Sequence, residues 1–357
     1  MITELYIDNL RCFRDFTLRD ITPVVLVSGR NNAGKSTLLE GVFLLFDHAD
    51  PGVFFKLNAW RDNQMIGMTP QLLWEHLFSG MDMTGELKVE VGKDGKRLTL
   101  SLQKDGGTAV AALESMANSP LPLPAAVENL YPLKFSYTHG DYEESGRYVI
   151  APTQSVGVEC TPVRSVRPAL EHMYYISQSV REPANVISER FGRLMLADRK
   201  DRLIEALRFM DDGITDLFSI MSGGVNRVYA KTAGGVKMPL CVMGDGINKL
   251  LTTLMCMLDA PGCVLLIDEA ENGFHYSFHK KFWNLVFNMT KETGCQVFAT
   301  THSYECISGA VEAAVDGKNS GILSCVRLGP DKNRKITPHV FSGESLAFAV
   351  EAELEVR

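Results

Sequence analysis

Gly29-Arg-Asn-Asn-Ala-Gly-Lys-Ser36 fits the phosphate-binding loop G-x-x-x-x-G-K-[ST] at every fixed position. Before it, Pro23-Val-Val-Leu-Val-Ser28 is an apolar run that reads as a buried strand. After it, Thr37-Leu-Leu-Glu-Gly-Val-Phe-Leu-Leu-Phe46 reads as a helix. Strand, glycine loop and helix start are the setting in which backbone N–H groups and a helix N-terminus receive phosphate. Gly29, Asn31, Asn32, Ala33, Gly34, Lys35, Ser36 and Thr37 are therefore the expected wrapping of a nucleotide's phosphates. Lys35 is expected to reach the β- and γ-phosphates, and the Ser36 hydroxyl to ligate Mg²⁺.

Far downstream, Val264-Leu-Leu-Ile-Asp-Glu269 is a hydrophobic strand ending in two carboxylates. A buried strand delivers its last residues to the sheet edge where ligands bind in open α/β folds. Asp268 is the expected metal ligand, and Glu269 the expected general base that polarises the attacking water. Strand Cys295–Thr300 ends in Thr301-His302-Ser303, which sets His302 near a γ-phosphate to report ATP or ADP. Met243-Gly-Asp-Gly246 precedes a helix, so Gly244, Asp245 and Gly246 suit close backbone approach to an anion. His275 and His279 read as structural or surface residues.

Around these segments the second half alternates β-α-β-α-β: helix 246–258, strand 264–267, helix 276–291, strand 295–300, helix 304–314, strand 322–328. That order predicts a largely parallel sheet. Strands are expected at 2–10, 11–18 and 148–151. A short helix is expected over Gln71–Leu77 and a mobile loop over 104–126. The alternating arms of Gly85–Leu102, with Lys93-Asp94-Gly95 between them, predict a hairpin. Pro183–Phe218 reads as mostly helical, and Val225–Leu240 as a hairpin turning at Ala233-Gly-Gly235. No segment sustains heptads, which argues against a long coiled coil.

The bulk numbers agree with a chain of about two domains, or one with a large insertion. Of 357 residues 45% are apolar and 22% charged, as in ordinary globular proteins. The net charge of −7 offers no global attraction to nucleic acid or anionic membrane. Eight cysteines form no C-x-x-C pair, which predicts reduced core thiols of a cytoplasmic protein. The first strand begins almost at Met1, so no signal peptide is expected. No apolar run approaches a membrane span.

These residues together resemble the non-transporter branch of the ATP-binding-cassette ATPases, with SMC-like and OLD-like members. Within it they are similar to short AAA-type ATPases of prokaryotic anti-phage defence operons. The resemblance implies an α/β fold of the P-loop NTPase, ABC-ATPase type: a mixed sheet flanked by helices, with an inserted β-hairpin and helical subdomain. It divides the chain into a core of 1–50 and 236–345, an insertion at 51–235 and a tail at 346–357. Asn9-Leu-Arg-Cys-Phe-Arg14 looks like the N-terminal signature of these proteins, which implies that Arg11 lies near the nucleotide. Asp268-Glu269 matches the Walker B pair, Glu271–His275 the D-loop region, and His302 the switch histidine. Gly244-Asp-Gly246 stands where the wider family has Leu-Ser-Gly-Gly, without the signature serine. Gln64, Gln71, Gln154 and Gln178 are all candidates for the Q-loop glutamine.

The implied activity is ATP hydrolysis with Mg²⁺, in a head-to-tail homodimer or higher oligomer closed around ATP. The implied role is a switch acting on a separately encoded effector, such as a Toprim-type nuclease, which would supply any contact with nucleic acid. No nuclease domain is expected after the last strands. The alternative is an SMC-like DNA repair or chromosome-maintenance ATPase, disfavoured by the missing coiled coil. A transporter subunit is disfavoured by the non-standard signature.

Overall fold

The computed structural model describes residues 1–61, 73–105, 132–150, 156–164, 172–178, 180–209 and 211–357. Its strands are β1 (Ile2–Asp8), β2 (Phe16–Arg19), β3 (Val24–Gly29), β4 (Leu87–Lys93), β5 (Lys96–Lys104), β6 (Leu133–His139), β7 (Tyr142–Ile150) and β8 (Val156–Arg164). They continue as β9 (Met173–Ile176), β10 (Ile214–Ser222), β11 (Val225–Thr232), β12 (Lys237–Pro239), β13 (Val264–Ile267), β14 (Gln296–Thr300), β15 (Leu323–Pro330) and β16 (Ile336–Ser342). The α-helices are α1 (Lys35–Asp47), α2 (Val53–Ala59), α3 (Ala184–Leu196), α4 (Lys200–Arg208), α5 (Asp245–Asp259), α6 (His279–Thr293), α7 (Tyr304–Asp316) and α8 (Gly343–Glu351).

The centre is a six-stranded sheet in the order β16-β15-β3-β14-β13-β9. All its pairings are parallel except β15 with β16. Every residue of β3, β13 and β14 is buried, which is why these strands read as unbroken apolar runs. The two faces of β3 belong to different cores. Val24 and Leu26 pack with α3 to α7, while Val25 and Val27 pack with α1, α2 and the second sheet.

That second sheet is antiparallel, in the order β2-β1-β4-β5-β6-β7-β8. Burial alternates strictly along β4, so one face closes over α1 and the other is wet. A small third sheet, β10-β11-β12, packs with α3 and α4.

Several boundaries differ from the sequence reading. The 51–235 segment is not set apart: β4 pairs with β1, and β9 pairs in parallel with β13 as an edge strand of the six-stranded sheet. Its strands complete sheets begun by other parts of the chain, a long-range event that local periodicity does not register. The 346–357 segment is not a loose tail either. It contains the end of α8, Val356 is fully buried, and the Ser28 hydroxyl donates to the Val356 carbonyl at 2.6 Å. The helical reading of 183–218 breaks at α4, since Ile214–Phe218 pair with β11. Helix α2 and strand β16 were not foreseen. Residues 106–126 of the expected loop, and Gln71 of the expected helix, lie outside the described residues.

Candidate functional site

The loop after β3 bends where its backbone can take left-handed angles. Gly34 has φ +94°, and an added Cβ there would lie 2.6 Å from the Cys12 sulfur and 2.9 Å from the Phe13 ring. Asn32 is also left-handed, at φ +62°. Lys35 folds back on the loop, its Nζ donating to the carbonyls of Gly29 at 2.8 Å and Arg30 at 3.2 Å. Burial pushes its pKa below the usual lysine value, against the pull of Glu269, Glu271 and Asp268.

The two remote segments meet. The Ser36 hydroxyl, one residue into α1, donates to Asp268 Oδ1 at 3.0 Å. The Thr300 hydroxyl, at the end of β14, donates to the same oxygen at 2.6 Å and accepts the Glu269 N–H at 2.8 Å. Parallel registry of β13 with β14 and of β14 with β3 brings these strand ends side by side. Ser36 and Asp268 thus present hard oxygen donors within one cation's reach, a set suited to Mg²⁺.

Glu269 sits left-handed at φ +48°, a conformation that costs a non-glycine residue about 1–3 kcal/mol and persists only where the surroundings enforce it. Asn272 Nδ2 donates to its Oε2 at 2.7 Å, while its Oε1 lies 3.9 Å from His302 Nδ1. Glu271 is buried and holds the histidine. Its Oε1 accepts the His302 backbone N–H at 2.8 Å and lies 3.0 Å from Nδ1.

Lys35, Ser36, Asp268, Glu269, Asn272, Thr300 and His302, but not Glu271, line a cleft of about 810 Å³ that also takes in Arg11, Asn31, Asn32, Gly34, Thr37 and Gln178. Gln178, just beyond β9, is the one described residue among the four glutamine candidates; Gln64, Gln71 and Gln154 lie outside the described residues. Gly244, Asp245 and Gly246 do not line this cleft. Asp245 pairs with Arg181, and Gly246 lies so close to Gly273 that an added Cβ would be 2.5 Å from its carbonyl oxygen.

The sequence reading missed one wall. Glu40 of α1, 2% exposed, pairs with both Arg11 and Arg61, and Arg61 also donates to the Thr37 hydroxyl at 3.2 Å. Trp60 stacks on Tyr175 with ring centroids 3.7 Å apart. Arg11 Nη2 is buried without a protein partner. A glutamate inside an apolar helix run was the only signal available.

The chain is similar to known proteins both in segments and over its whole length. Residues 4–56 match the "AAA domain" family, and residues 162–308 match the family described as "AAA domain, putative AbiEii toxin, Type IV TA system". An "ATP/GTP phosphatase" of Helicobacter pylori is 23% identical, with 99% of each chain covered. An SMC head bound to the C-terminal winged-helix domain of ScpA superposes with a TM-score of 0.50 at 12% identity, covering 96% of this chain and 98% of that one. The SMC head domain of Thermotoga maritima gives 0.39 at 11% identity, covering 95% and 98%. The fold is therefore that of the SMC-head and ABC-type P-loop NTPases, a mixed sheet flanked by helices. With the phosphate loop joined to the carboxylate strand, and two segments matching AAA-domain families, the chain is an ATPase. No helix among the described residues is long and apolar enough to cross a membrane.

Proposed function

We propose that this ATPase is a nucleotide-driven switch that pairs head to tail with a second copy around ATP and controls a separately encoded effector in anti-phage defence, such as a Toprim-type nuclease. The observation that carries the reading is the hydrogen-bond chain Ser36–Asp268–Thr300–Glu269, which joins a phosphate loop to a placed carboxylate.

Lys35 leaves the carbonyls of Gly29 and Arg30 and binds β- and γ-phosphate oxygens, which carry more charge than a peptide oxygen. Arg11 brings its free Nη2 to the nucleotide. Ser36 and Asp268 would hold Mg²⁺, which would supply positive charge against the charge developing on the phosphate oxygens. Glu269, with Oε2 tied to Asn272, offers Oε1 to the attacking water and takes its proton. His302, turned by Glu271, bonds the γ-phosphate and loses that partner on hydrolysis. Gly244, Asp245 and Gly246, which do not line their own cleft, serve the partner's nucleotide. The γ-phosphate thus adds contacts in one state and removes them in the other, which is how a switch stores its signal. The effector reads the paired state.

Glu269→Gln tests this reading. Turnover should fall by about 10²- to 10⁴-fold while ATP binding persists, and the protein should run as an ATP-dependent dimer in light scattering. Hydrolysis at the parental rate would remove Glu269 as the base; a monomer with ATP bound would remove the paired state. Affinity capture with and without ATP, followed by a nuclease assay, tests the effector.

A further inference from the structure

Lys249 lies one turn into α5, partly buried, and no motif in the chain calls for it. Its Nζ donates to the Asp268 carbonyl at 3.2 Å and to the Glu269 carbonyl. Both acceptors belong to the residues just past β13, where strand pairing stops. Loss of solvent is the main influence on the ammonium and brings its pKa down to about 8, although Glu271, Asp268 and Glu269 are close enough to pull it up. Its hydrogen bonds go to two backbone oxygens.

Those oxygens matter because of where Glu269 stands. Its backbone is left-handed, its N–H is fixed by Thr300, and its Oε2 is fixed by Asn272. The Glu269 carbonyl accepts the Asn272 backbone N–H at 3.0 Å, and Lys249 is the side chain that holds it as well. The same side chain ties the carboxylate turn to α5, which Gly244 caps and whose first residues are Asp245 and Gly246.

We propose that Lys249 is the positioning residue that keeps Glu269 aimed at the attacking water, acting through the backbone and touching neither nucleotide nor water. The proposal rests on the reading of Glu269 as general base. Lys249→Met should lower kcat by about 10- to 100-fold, the usual cost of displacing a catalytic group by an ångström. KM for ATP, binding of a fluorescent ATP analogue and ATP-dependent dimerisation should stay near parental values. Lys249→Arg, which keeps a cationic donor, should recover most of the lost kcat. Thermal melting of both variants separates misfolding from mispositioning, and Glu269→Gln is measured beside them. If Glu269→Gln turns over normally, the base assignment falls and Lys249 has nothing to position. If Glu269→Gln is inactive while Lys249→Met keeps its kcat, or loses kcat and binding together with no recovery in Lys249→Arg, the positioning role is overturned.

Discussion

The two large sheets of this molecule are built from similar residues and treat their ends differently. In the six-stranded, mostly parallel sheet the inner strands β3, β13 and β14 are buried on both faces, so their ends are located by packing above and below as well as by their neighbours. Its C-terminal edge carries Asp268, Glu269, Thr300 and the phosphate loop. The seven-stranded antiparallel sheet is packed on one face only, as the alternation along β4 records, and its wet face carries paired charges such as Lys88 with Glu90. One sheet brings the reacting groups together at its edge. The other supplies a wall for α1. The lesson is that burial on both faces, more than strand content, is what makes a sheet edge fit for a reaction centre.

That contrast can be broken at points where it commits itself. Leu100, fully buried in β5, lies in the core shared with α1. Leu100→Ala should cost about 2–5 kcal/mol of stability in urea titrations while kcat per folded molecule is unchanged. A selective loss of kcat would mean that the antiparallel sheet does position the site. Thr300→Val makes the opposite test at the parallel edge. It removes the hydroxyl shared by Asp268 and the Glu269 N–H, so steady-state kinetics should show about a tenfold loss of kcat with a small change in melting temperature. A merely destabilised enzyme with normal kcat would count against the edge as the precise element.

The smallest effect sharpens the contrast on the parallel side. His279, 4% exposed at the start of α6, has its pKa pushed down by burial. The folded protein therefore protonates this ring less readily than the unfolded chain, which takes up a proton near pH 6.5. Its contribution is intact above that pH and is lost as pH falls below it. Melting curves of His279→Gln between pH 7.5 and 5.5 should fall less steeply than those of the parent; parallel curves would show that acid sensitivity has another source.

Much of the reaction centre was legible because it is written in short contiguous runs. Gly29–Ser36 and Val264–Glu269 each carry their own strand and loop chemistry, and His302 follows its strand directly. What could not be read gains meaning only from long-range approach. Thr300 is an ordinary strand-terminal threonine until β14 lies beside β13. Lys249 is a charged residue of an amphipathic helix, and Glu40 a polar interruption, until the folded neighbours appear. The same blindness let Ile214–Phe218 pass as helix, since its partner is a hairpin arm, and hid β9, four residues long, inside a segment read as an insertion.

The first core strand to be made is nearly the last to be completed. β3 is flanked by β14 and β15, whose residues begin at Gln296 and Leu323. At translation rates of about 5–20 residues per second, a ribosome needs roughly 15–60 s to supply both neighbours. Throughout that interval Val24–Val27, wholly apolar, is an unpaired ribbon on a nascent chain. Shielding of this segment by chaperones, and the pace of elongation, then bear directly on how much nucleotide-competent protein a cell obtains.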